Sequence, residues 1–158
     1  MKITEEEFRS IPSPNGKVIV PRSQMADVDQ FHYAPVRRAG DFVYVSGVVA
    51  SNRSATPLNA DGFRKELRDV FEQIRSLLAW SDARLEDVVE LQMFHVFRSR
   101  HTTLGKEEQL ALIGAVRDEF FPAPYPAAVE LGVAELNADG GLVEIKATAF
   151  APLAAQRP

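Results

Sequence analysis

The stretch from Asp61 to Trp80 constrains the fold more than any other part of the sequence. Phe63, Leu67, Val70, Phe71, Ile74, Leu77 and Leu78 recur there at three- and four-residue spacing, which lines them up along one face of a helix. Asp61 stands where an N-cap belongs. An apolar stripe that wide has to be covered, and the runs on both sides of it have the β-branched and aromatic content of strands.

Before the helix, Phe31–Val36 and Asp41–Val49 read as two strands joined through Arg37–Gly40, with Phe42, Tyr44 and Ser46 on one side and Val43, Val45 and Gly47 on the other. After it, Leu85–Phe97 reads as a strand and Gly105–Phe121 as a second helix, carrying Leu110, Ile113, Val116 and Phe120 at helical spacing. A proline-rich turn at Pro122, Pro124 and Pro126 leads to strands over Ala127–Leu136 and Leu142–Ala149, separated by the turn signal Asn137-Ala138-Asp139-Gly140-Gly141. The order, ββαβ and then αββ, lacks the strict alternation of a doubly wound parallel sheet. It fits an α+β fold with two helices on one face of a mixed sheet. The other face of such a sheet needs cover, which points to self-association.

One domain accounts for the chain. Its 158 residues bury roughly 70% of the unfolded surface around a single core. The domain is expected over residues 31–152, with an extended arm over 1–30, holding one short strand at Lys17–Val20, and a tail over 153–158. The absence of cysteine removes disulfides, thiolate nucleophiles and cysteine-ligated zinc. No HxH, HxxxH or HExxH spacing occurs, so no metal and no cofactor is expected. A net charge of −4 argues against nucleic acid as a partner, because that affinity rests on clustered Lys and Arg. Arg64, Lys65 and Arg68, and again Arg98, Arg100 and Lys106, read as solvated faces. No apolar run reaches the ~20 residues of a membrane span, and the acidic start does not read as a secretory signal. The expected compartment is the cytoplasm.

The segment YAPVRRAGDFVYVSG from Tyr33 to Gly47 resembles a signature of the Rid (YjgF) family, in which a tyrosine near a strand start leads through a glycine turn and a hydrophobic strand to Ser-Gly. LEDVVELQMF, ending at Phe94, resembles the family's second motif. Glu119-Phe120-Phe121 is similar to its helix end, and PAAVELGVAEL followed by LVEIKATAF to its closing hairpin. The resemblance covers Tyr33 to Phe150. It implies a chorismate-mutase-like fold, a homotrimer whose sheets line a central barrel, and three clefts between subunits. The family's active deaminases, some of whose relatives carry an endoribonuclease label, hydrolyse 2-imino- or 2-aminoacrylate-type compounds to 2-keto acids and ammonia. An arginine in a closing Pro-Ala-Arg motif holds the substrate carboxylate, and a glutamate near the end positions water.

Carried over, the resemblance makes Glu144 the catalytic residue and Tyr33, Ser46, Gly47, Phe94, His95, Pro126 and Ala128 the ligand-contacting set. Aligning Ala128-Val129-Glu130-Leu131 with the hairpin start puts the family arginine at Pro126, which supplies no charge and no N–H. An arginine-lacking subfamily member is thus implied, with Arg37, Arg38 and Arg98 as the sequence-near substitutes. Two functions stay open: hydrolysis of an imine, enamine or related carbon–nitrogen bond, and non-catalytic binding of a small molecule by the trimer. Each residue also has a plain alternative. Glu144 fits an edge-strand charge paired with Lys146, and His95, alternating with Leu91, Met93 and Phe97, fits a core histidine. Tyr33 fits an ordinary β-face aromatic. Ser46 lacks a GxSxG elbow and a neighbouring histidine, so its hydroxyl or nearby amides are better suited to an anionic group than to nucleophilic attack.

Overall fold

The computed structural model describes residues 7–153. The first six residues of the arm and residues 154–158 of the tail lie outside the described residues. Seven strands form one sheet, β1 (Phe8–Ser13), β2 (Gly16–Pro21), β3 (Val36–Ala39), β4 (Phe42–Ser51), β5 (Val88–His95), β6 (Ala127–Gly132) and β7 (Gly141–Phe150), in the order β1-β2-β3-β4-β7-β5-β6. The helices are α1 (Met25–Phe31), α2 (Ala60–Trp80) and α3 (Lys106–Phe120). The expected α+β mixed-sheet class is the one observed.

Internal packing divides the chain into two compact units. One holds the residues up to Ser46, Ile74–Glu90 and those from Ala147 on; the other holds Gly47–Gln73 and Leu91–Lys146. In the first unit the expected arm is an antiparallel hairpin. β1 pairs with β2 (Ile11 opposite Val18) and β2 with β3 (Val18 opposite Arg37). Asn15, at φ 61°, makes the turn. Phe8 stacks on Trp80, with ring centroids 5.3 Å apart. The strand expected at Phe31–Val36 is corrected as well: Phe31 closes α1, His32 caps it in the left-handed region, and the strand starts at Val36. Ile19, Val36, Val43, Val45, Ile74 and Leu78 form the core here, all fully buried. On the sheet, Phe42 stacks on Tyr44 and meets Phe150 edge-on, and all three remain exposed.

In the second unit Phe63, Leu67 and Phe71 bury the stripe read from the sequence, each contributing about 1.5–3 kcal/mol by leaving water. The helix starts one residue earlier than the cap reading implied. Asn59, not Asp61, is the cap, its side-chain oxygen accepting from the Gly62 N–H at 3.0 Å. Phe71 stacks on Phe120 at 5.2 Å and meets Phe121 edge-on, which joins α2 to α3. Arg68 forks onto both oxygens of Glu119 (2.8 and 2.7 Å), and Lys65 pairs with Asp69, so two of the three cations in that cluster are neutralised. α3 is capped at Gly105, whose N–H donates to Glu108 at 3.0 Å. The predicted Asn137–Gly141 turn is present, with Gly140 at φ 69°; a Cβ there would meet the Asn52 carbonyl oxygen at 2.3 Å, so only glycine fits.

Candidate functional site

Burial along β4 alternates through Val43 and Val45 and then slips by one residue, with Val48 and Ala50 buried next. Such a slip is the mark of a bulge, a device that re-aims side chains. It falls at Ser46-Gly47 and leaves Gly47 exposed, a correction to the sequence reading that grouped Gly47 with Val43 and Val45. The side chain of Glu144 crosses the space thus opened. A Cβ on Gly47 would lie 1.7 Å from Glu144 Oε1 and 2.5 Å from its carboxyl carbon, so the glycine is required for the approach. Glu144 is half-buried on β7, in the alternating row with Lys146 and Thr148. β7 lies between β4 and β5, an interior strand rather than the edge, and no hydrogen bond or ion pair joins Glu144 to Lys146 among the described residues.

Ser46 sits beside this pair with its donors occupied. Its hydroxyl donates to the Ala34 carbonyl at 2.6 Å and its N–H to the Pro35 carbonyl at 2.9 Å, fastening β4 to the chain that enters β3. Tyr33 is 37% exposed. Partial burial, and then the charge of Asp27, raise its hydroxyl above the usual phenol range, so it stays protonated. Phe94 is half-buried on β5, while its neighbour His95 turns to the fully buried row of Leu91 and Met93. Among the arginines expected to substitute for the missing one, Arg38 is already fully used. It is 3% exposed and donates to the carbonyls of Ser81, Gly40, Ala151 and Asp82 at 2.9–3.0 Å. Arg37 reaches the Pro14 carbonyl at 3.4 Å, and Arg98 is exposed.

Pro126 and Ala128 come together at a second place, a cavity of about 290 Å³ at the C-terminal end of α3, lined by Arg117, Asp118, Phe121, Tyr125, Pro126 and Ala128. Arg117 is the residue the sequence reading missed. Its Nη1 donates to Glu130 Oε1 at 2.9 Å, and its Nε lies 3.7 Å from Asp118 Oδ1. The other carboxylate oxygen of Glu130 lies 3.3 Å from His95 Nε2. That distance permits attraction, yet neither ring nitrogen of His95 has a hydrogen-bond partner. Burial lowers the imidazole's affinity for a proton, and Glu130 opposes the shift. His95 stacks on Phe97 at 5.0 Å and 7°, and Lys106 Nζ lies 5.3 Å from the Phe97 ring centre. No sequence motif marks Arg117; the only clue is a cation in the last turn of a helix, where the dipole favours one.

Residues 26–151 match the family model described as Endoribonuclease L-PSP. The chain is 31% identical over 124 residues to the RutC family protein YjgH of Escherichia coli (strain K12), covering 78% of this chain and 86% of that protein. It is 28% identical over 104 residues to a protein of Dermatophagoides farinae named 2-iminobutanoate/2-iminopropanoate deaminase, covering 66% and 74%. A solved structure of protein YjgH superposes with a TM-score of 0.64 at 26% identity, over 93% of this chain and 98% of that one. With a mixed sheet of the same architecture and a family match that spans most of its length, this chain belongs to the Rid/YjgF family.

Proposed function

We propose that the chain hydrolyses a small imine or enamine in clefts formed between the subunits of a cytoplasmic homotrimer, with Glu144 as general base and then general acid. The observation that carries this reading is the carboxylate of Glu144 laid across Gly47, where a bulge has cleared the space. A carboxylate so placed can take a proton from water as the oxygen adds to the imine carbon. The resulting carbinolamine collapses to a carbonyl, and the proton returns to the departing nitrogen, so an imine and water become a carbonyl compound and an amine or ammonia. Tyr33, Ser46, Gly47, Phe94, His95, Pro126 and Ala128 are the proposed ligand contacts. The exposed cluster of Phe42, Tyr44 and Phe150 supports self-association, because contiguous apolar surface of this kind is usually covered. No cofactor enters the reaction.

The test is ammonia release from enzymatically generated 2-aminoacrylate and 2-iminopropionate by the wild type, Glu144→Ala and Pro126→Arg. The expected result is wild-type turnover that falls by about 10²–10⁴-fold in Glu144→Ala, the range of general acid–base catalysis. An inert wild type sinks the reading. The second reading, a non-catalytic small-molecule-binding trimer, is favoured by Pro126 alone, which brings no charge and no donor to its cavity wall. Under that reading Pro126→Arg gains activity, or all three proteins are inert.

A further inference from the structure

The cavity at the end of α3 is wired to a buried histidine through one glutamate. Arg117 forms part of the cavity wall and donates to Glu130; Glu130 approaches His95; and His95 is fully buried with no hydrogen bond to either ring nitrogen. Glu130 lies two residues beyond Ala128 on β6, so the two side chains share a side of that strand. All of these residues belong to one compact unit.

Three features fit the cavity to a small organic anion. Its volume of about 290 Å³ is at the small end of the roughly 300–1,000 Å³ typical of ligand pockets. Phe121, Tyr125 and Pro126 offer flat apolar walls. Arg117 presents a planar fork suited to a carboxylate, and its hydrogen bonds use a single N–H donor among the described residues. Charge counting adds a condition. Arg117 already faces two carboxylates, Glu130 at 2.9 Å and Asp118 at 3.7 Å, so a third anion is repelled unless one negative charge is cancelled. His95 is the group able to do so. The charged groups around it are Glu130 from β6 and, further out on α3, Arg117 through Glu130 and Lys106 across the Phe97 ring.

We propose that this cavity binds a small organic carboxylate which draws Arg117 away from Glu130, and that the released Glu130 draws a proton from solvent onto His95. Anion binding and proton uptake are then one event. The unliganded protein keeps His95 neutral, consistent with its burial and with Glu130 being shared with Arg117. The inference is independent of hydrolysis, since it holds for a catalytic or a non-catalytic chain.

Calorimetric titration of the full chain with benzoate, and with neutral isosteric benzamide, tests it. Each titration is run at pH 6, 7 and 8 in two buffers of different ionisation enthalpy. Benzoate should bind at least tenfold tighter than benzamide, take up protons from the buffer, and gain affinity as pH falls, toward the limit of about tenfold per pH unit set by one proton. Arg117→Gln should abolish the preference for benzoate. Glu130→Gln should tighten benzoate binding and remove the proton uptake, a gain that a purely structural role for Glu130 would not give. His95→Gln should flatten the pH dependence. Failure of benzoate to bind, equal affinity for benzamide, or pH-independent binding without proton uptake each overturns the proposal, and none of these bears on ammonia release.

Discussion

Arg38 and Arg117 are both at least half-buried, and they show two uses of one side chain. Arg38 is held by four backbone carbonyls gathered from the turn after β3, the end of α2 and the residue after β7. Every contact is to a neutral acceptor fixed by the fold, so the guanidinium serves as a bolt. Arg117 faces side-chain carboxylates instead, is 29% exposed at its side chain, and borders a cavity. Its partners can be exchanged by rotating side chains alone. Saturation, rather than burial or sequence position, separates a structural arginine from one free to meet a ligand.

The largest effect should come from breaking the bolt. Arg38→Met leaves four carbonyls without their donor in a nearly water-free place and is expected to cost about 3–4 kcal/mol in urea unfolding. Arg38→Lys should recover less than half of that, because an ammonium cannot span the same fan of acceptors. A loss under about 1 kcal/mol for Arg38→Met would show that water replaces the guanidinium and would erase the contrast.

A smaller effect concerns acid. The folded state lowers the proton affinity of His95 below that of the unfolded chain, whose histidine titrates near about 6.5. Between the lowered folded value and that unfolded value the unfolded chain binds the extra proton, so stability is full above this window and declines as pH falls through it. Denaturation midpoints measured from pH 7.5 to 5 should therefore drop toward acid, with a shallower slope in His95→Gln. An unchanged slope would mean that Glu130 holds the imidazole proton as well as water does.

The smallest effect should be Arg117→Gln, which removes one partly exposed ion pair and is expected to cost less than about 1 kcal/mol of stability. A cost equal to that of Arg38→Met would place Arg117 among the bolts too.

The N-terminal hairpin shows where sequence reading fails. β1 exposes most of its residues on both sides, so it carries no alternation, and Pro12 argues against a strand except at a sheet edge, which is where β1 lies. The run at Phe31 misled for the opposite reason. A short apolar and aromatic string is compatible with a strand start or a helix end, and tertiary packing selects the helix. Asn59 and Asp61 are both acceptable caps by chemistry; the one-residue difference in where α2 starts decides between them.

The sequence by itself determined the two long helices, the central strands and the family, because periodicity and turn chemistry act over a few residues and are written locally. Gly47 and Glu144 were also legible as candidates, through the resemblance of their surrounding motifs. Only the tertiary structure decided that the Glu144 side chain lies over Gly47, that Arg38 is consumed by carbonyls, and that Arg117, Glu130 and His95 form a chain beside a cavity. Those facts depend on strand register, on a one-residue slip in β4, and on where a helix end meets an edge strand. Residues 13 to nearly 100 positions apart are joined there by distances of a few ångströms, which no local pattern encodes.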